Sequence, residues 1–143
     1  MTVAVIAGVR FTTAQELFET DEDGFADVDV TVEWIQPGPD VHGRALAGPD
    51  RTYLWVDRSE HVVRLPAGDT GTAARSWQLR QVAPIVAAAY GRMTLHASAI
   101  ERKGQITAFV GGTGVGKSTL AWECSKAGSA AVADDTLPVR FNE

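Results

Sequence analysis

The stretch that constrains this chain most is Gly111-Gly112-Thr113-Gly114-Val115-Gly116-Lys117-Ser118. It reads G-x-x-x-x-G-K-S. An apolar run from Ile106 to Val110 leads in as a predicted strand, and a helical pattern from Thr119 to Lys126 leads out. Glycines at this spacing let the backbone take positive φ and turn successive N–H groups inward. Those groups and the first turn of the following helix make a cradle for phosphate oxygens. In such a cradle the Lys117 ammonium reaches the β- and γ-phosphates, and the Ser118 hydroxyl ligates Mg²⁺. Residues 111–118, with Thr119 at the head of the helix, are the predicted nucleotide-binding set.

The rest of the composition narrows the setting. At 143 residues the chain has the length of one domain, or of one domain with an appendage. An apolar fraction of 45% permits a real core. The net charge of −5 argues against general nucleic-acid binding. Charge is uneven: residues 1–70 hold 13 acids and 5 Lys/Arg, whereas residues 71–143 hold 5 acids and 8 Lys/Arg. The half with the glycine-rich loop is thus mildly basic, which suits a polyanionic ligand. A single cysteine, Cys124, excludes an internal disulfide and fits a reducing cytoplasm. It reads as a small core residue of the helix after the loop. No stretch approaches the roughly 18 apolar residues of a membrane span. Met1 to Arg10 lacks the basic leader and cleavage site of a signal peptide.

Along the chain, Val3 to Val9 is a predicted strand. Thr13-Ala14-Gln15-Glu16 resembles a capping box opening a short helix through Phe18. Asp21-Glu22-Asp23-Gly24 is a solvated acidic turn, without the spaced ligands of a calcium loop. Val28 to Ile35 alternates valines and Trp34 against Asp29, Thr31 and Glu33, the pattern of a half-buried strand. Residues 37–50 read as a loop. Thr52 to Val56 and His61 to Leu65 read as a hairpin turning at Asp57 to Glu60. His42 and His61 are expected at the surface. A helix is predicted from about Ala73 to Tyr90, with a stripe of Trp77, Val82, Ile85, Val86 and Ala89, a kink at Pro84 and a cap at Gly91. The expected division is a β-rich part, residues 1–70, then a nucleotide-binding part, residues 71–143.

Chemistry-bearing residues gather around the loop. Met93 to Ile100 and Gln105 to Val110 read as a tight hairpin. Turning at Arg102-Lys103 sets His96 opposite Phe109; turning at Lys103-Gly104 sets it opposite Gly111. Either way His96 lies at the mouth of the loop, and it is the one histidine with a functional case. After the loop helix, the apolar run Ala130 to Ala133 ends in Asp134-Asp135, only 16 residues beyond Ser118. An apolar strand ending in acid is the pattern that supplies an Asp to a Mg²⁺ shell. Adjacent strand residues point to opposite faces, so both acids serve one site only if the strand ends there. A hydroxyl attacking a γ-phosphate needs a base in reach, and His96 and Asp134 are the candidates.

Leu95-His96-Ala97-Ser98-Ala99-Ile100, the loop at Gly111–Ser118 and Val132-Ala133-Asp134-Asp135 together resemble the catalytic domain of the HPr serine kinase/phosphorylase family. The resemblance is strong over residues 92–140, weaker over 50–91 and absent over 1–49. It implies an α/β P-loop fold related to phosphoenolpyruvate carboxykinase. It also implies an ATP-dependent kinase with Mg²⁺, acting on a Ser/Thr hydroxyl of a protein or peptide. By motif position, His96 and Asp134 would manage the proton of that hydroxyl, and Ser118 and Asp135 would serve the metal. The family's domain continues past the paired Asp with more strands, a further acidic ligand and a substrate-facing loop. The resemblance therefore implies a domain incomplete at its C-terminus, with an open β edge, completed by further elements, a second copy or a complementing subunit. A nucleotide-binding module without transferase activity and a simple ATPase are the other readings. No Asn-Lys-x-Asp guanine motif occurs.

Overall fold

In a computed structural model of the chain, residues 1–15, 26–36, 38–47, 53–68 and 71–140 are described. They form eleven strands and two helices, divided into two compact units, Met1–Arg92 and Met93–Glu143.

The first unit is a six-stranded mixed sheet and one helix. Its strands are β1 (Thr2–Ile6), β2 (Val9–Thr13), β3 (Val28–Ile35), β4 (Arg44–Ala47), β5 (Tyr53–Asp57) and β6 (Val62–Pro66), in the order β1-β2-β3-β6-β5-β4. β2 and β3 pair in parallel, as do β3 and β6; the other pairs are antiparallel. Alternation decides the faces. Val28, Val30 and Val32 are buried while Asp29, Thr31 and Glu33 are exposed. The outer row closes in ion pairs, Arg10 with Asp29 at 3.0 Å and Arg64 with Glu33 at 2.9 Å. The inner face packs Val9, Phe11, Leu54, Val63 and Leu65 against helix α1 (Thr72–Ala89).

Two sequence expectations change here, and a third falls mostly outside the described residues. Val3 to Val9 is two strands, because Ala7 and Gly8 both take positive φ (56° and 76°), the geometry of a two-residue hairpin turn. Thr13 ends β2 and its hydroxyl meets Gln15 at 2.8 Å; the remainder of the predicted short helix and the acidic turn at 21–24 lie outside the described residues. The predicted loop at 37–50 contains β4, which pairs with β5 along Arg44↔Val56 to Ala47↔Tyr53. The hairpin of β5 and β6 forms as expected, with the Asp57 carboxylate accepting from the Ser59 and Glu60 N–H groups. His42 and His61 are exposed.

Helix α1 runs unbroken through Pro84. It buries Ser76, Leu79, Val82, Ala83, Val86 and Ala87, and Trp77 is 55% exposed. The predicted stripe therefore started on the wrong side: Leu79 and Ala83 continue the buried face at helical spacing, and Trp77 does not. Gly91 (φ 74°) ends the helix, with the Arg92 N–H reaching the Ala87 carbonyl and the Gly91 N–H that of Ala88. This is a Schellman cap. The apolar face of α1 packs on the first sheet, and the helix lies within Met1–Arg92 rather than with the part expected from residue 71.

The second unit holds β7 (Met93–Leu95), β8 (Ala97–Arg102), β9 (Gln105–Val110), helix α2 (Lys117–Lys126), β10 (Ala130–Ala133) and β11 (Leu137–Val139). One sheet is ordered β10-β8-β9, and β11 pairs with β7; every pairing is antiparallel. This overturns the expected α/β P-loop domain, which would set the loop strand in a parallel sheet layered by helices. The chain is β-rich, and the reason is connection length. Arg102 pairs with Gln105, so only Lys103 and Gly104 turn between β8 and β9. Parallel neighbours need a crossover of a dozen or more residues. No helix among the described residues is long and apolar enough to cross a membrane.

Candidate functional site

The Gly111–Ser118 segment runs from the end of β9 into α2, the strand–loop–helix order its pattern requires. Gly114 (φ 81°) and Gly116 (φ 94°) take the left-handed conformation that a side chain resists. Gly116 is also the N-cap of α2. A Cβ on Gly111 would come within 3.0 Å of the Val115 side chain. Lys117, the first residue of the helix, is buried and turns back over the loop, donating to the Gly112 carbonyl at 2.9 Å.

The turn between β8 and β9 resolves the two hairpin registers. Lys103 (φ 53°) and Gly104 (φ 77°) both have positive φ, as a type I′ turn demands. Ala97 then pairs with Val110, which carries His96 to the level of Gly111. His96 lies in a bend between β7 and β8, not within one continuous strand from Met93 to Ile100. Freed from the ladder, its ring lies against the loop lysine, with Nε2 at 3.0 Å from Lys117 Nζ. Its Nδ1 faces the Asp135 backbone carbonyl at 3.0 Å and the Asp135 Oδ1 at 3.1 Å. An ammonium only donates and carbonyl and carboxylate oxygens only accept. These partners assign the ring proton to Nδ1 and leave the Nε2 lone pair facing Lys117.

The paired acids divide the site between them. β10 ends at Ala133, so the alternation of a strand no longer separates Asp134 from Asp135. Asp135 takes φ 74°, a conformation that Asp tolerates better than most residues. Asp134 Oδ1 accepts from the Ser118 hydroxyl at 2.7 Å and from the Ser98 hydroxyl at 2.6 Å. Thus Asp134 joins Ser118 and Asp135 joins His96, the reverse of the pairing that motif position implied.

No family model matches the chain, and no curated protein matches its sequence. Its functional reading therefore rests on the loop, His96 and the two acids. Thr113, Val115, Ser118 and Thr119 are exposed around the cradle. Sequence reasoning missed Ser98 as a member of this cluster. Its position two residues after His96, on the strand beside the loop strand, was the available signal.

The Ser98 hydroxyl, and after it that of Ser118, holds the Asp134 carboxyl below the usual carboxylate value; the Asp135 N–H and the Lys117 charge act in the same direction. A carboxylate lowered in the folded state contributes stability that is complete above its unfolded value of about 3.9 and is lost as pH falls through the folded value. In metal-free protein, carboxyl ¹³C titration of Asp134 should give a midpoint below that of an unstructured aspartate. Ser98→Ala should move that midpoint upward.

Among the described residues no group of three or more His, Cys, Asp or Glu side chains is placed to hold a metal ion. A carboxylate and a hydroxyl, Asp134 and Ser118, are nonetheless hard oxygen donors 2.7 Å apart at the loop. That fits a cation that takes few protein ligands and completes its shell with water and substrate phosphates. Cys124 is partly buried in α2 and unpaired with sulfur.

Proposed function

We propose that this chain binds ATP at Gly111–Ser118 with Mg²⁺, and transfers the γ-phosphoryl group to a Ser/Thr hydroxyl of a protein or peptide, as an HPr kinase-like enzyme of the cytoplasm. One observation carries the reading: Lys117 Nζ lies 3.0 Å from His96 Nε2, whose opposite nitrogen is held by Asp135. A phosphate-loop lysine and an oriented imidazole thus share one point in space. The oriented imidazole is what favours phosphoryl transfer over a module that only binds nucleotide.

The residues divide the work as follows. Loop amides and Lys117 hold the phosphates and stabilise the charge on the transferring group. Ser118 and Asp134 would hold Mg²⁺, which supplies charge neutralisation at the phosphates. Asp135 fixes the His96 tautomer, as the carboxylate of a catalytic triad does for its histidine. While the loop holds no phosphate, the His96 lone pair is engaged by Lys117. Once Lys117 turns to the phosphates, Nε2 is open to take the acceptor's hydroxyl proton as the new P–O bond forms and the bond to ADP breaks.

The test is calorimetric titration of the chain with ATP in Mg²⁺, followed by incubation with [γ-³²P]ATP and a Ser/Thr-containing protein pool. Mg²⁺-dependent binding with label appearing on protein hydroxyls is the expected result. Binding with no label supports the module reading, and release of free phosphate alone supports an ATPase.

A further inference from the structure

Ser98 is the one polar side chain of this cluster that is fully buried, at 0% exposure. It sits in β8, flanked by buried Ala97 and Ala99, and β8 is the central strand of its sheet, between β10 and β9. A hydroxyl in the middle of an alanine-lined strand has to find a partner. It finds the Asp134 carboxylate at 2.6 Å, while its distance to the Ser118 oxygen is 3.4 Å. Both serine protons go to one oxygen, Asp134 Oδ1.

This arrangement has a direction. Ser118 spends its proton on Asp134, so its oxygen lone pairs are left to face away from the carboxylate. Asp134 is in turn held by Ser98, whose own position is set by the paired strands on either side of it. An acid just past a strand end is thereby tied to the central strand of its sheet. Hydrogen bonds to ionised acceptors are short and strong, and partners of metal-binding side chains typically change metal affinity or activity by about 10- to 100-fold when removed.

We propose that Ser98 is a positioning residue for the divalent cation: it orients Asp134, and through it Ser118, so that the two oxygens present a preformed half-site to Mg²⁺ bound with a nucleotide. The inference rests on the nucleotide-binding reading above. It assigns Ser98 no contact with nucleotide or acceptor.

The consequence is specific to metal. Ser98→Ala removes the hydroxyl, adds no volume and leaves the loop, Lys117 and His96 in place. ATP affinity is measured by calorimetry for the full chain in EDTA and again in saturating Mg²⁺, and the ratio of the two is the metal-dependent gain. Ser98→Ala should lower that gain by about tenfold while ATP affinity in EDTA stays within about twofold of the wild type, which also reports that the variant is folded. Ser98→Cys keeps the size with a weak donor and should behave like alanine. Ser98→Thr keeps the hydroxyl and should restore the gain.

An undiminished gain in both the Ala and Cys variants overturns the proposal. So does a parallel loss of affinity with and without Mg²⁺, the signature of a merely structural serine. A wild-type chain that fails to bind ATP at all removes the nucleotide reading and this inference together. A wild-type chain that binds Mg·ATP normally but is indifferent to Ser98 removes this inference alone.

Discussion

Replacing His96 by alanine should lower phosphoryl transfer by about 10²- to 10⁴-fold, the range for loss of a general base, and leave ATP binding essentially unchanged. The separation follows from the geometry. His96 touches Lys117 Nζ and Asp135, and it forms no part of the Gly111–Ser118 cradle. Removing the ring takes away a partner that Lys117 must leave in order to reach a phosphate, so affinity for ATP should hold or rise slightly. Single-turnover transfer rates and calorimetry on the same preparation test this. Equal rates in His96→Ala and wild type would sink the assignment of His96 as base. Asp135→Asn should lower the rate less, because an amide oxygen still accepts from Nδ1 and the Asp135 backbone carbonyl is untouched.

Lys117→Ala should weaken ATP binding by about 10- to 150-fold. A hydrogen bond to a charged group contributes about 1.5–3 kcal/mol, and each 1.4 kcal/mol is about a factor of ten. Lys117 lies buried over the loop, bonded to the Gly112 carbonyl at 2.9 Å. Binding would exchange these His96 and Gly112 partners of the ammonium for phosphate oxygens. Lys117→Arg should not restore affinity, since a planar guanidinium does not replace a compact ammonium in a pocket shaped around it. Calorimetry decides this, and unchanged affinity in Lys117→Ala would remove the nucleotide assignment of the whole loop.

Legibility in the sequence followed the range of the interactions involved. The loop could be read because glycines at 111, 112, 114 and 116 act on their own backbone, and two of them do take positive φ. β3 could be read because alternation records a buried face residue by residue. The end of α1 could be read where Gly91 caps it. Other features were not local. β4 has four residues, ArgAlaLeuAla, with no strand pattern of their own; it exists because β5 offers it an edge. The face of α1 was misjudged because Trp77 is apolar yet lies away from the sheet. The expected α/β domain came from the family resemblance and failed against the hairpin that the sequence did show, whose tight turn at Lys103-Gly104 commits the loop strand to an antiparallel neighbour.

The same distinction runs through the site. From sequence alone came the glycine-rich loop between strand and helix, the closeness of His96 to it and the arrival of two acids at a strand end, because each depends on nearby residues and short connections. Only the tertiary structure decided that Asp134 goes to Ser118 and Asp135 to His96, and that Ser98 stands behind Asp134. Adjacent acids are equivalent in a sequence. They part company only where the strand stops and one residue takes a left-handed turn, so that hydroxyls from another strand and another helix can tell them apart.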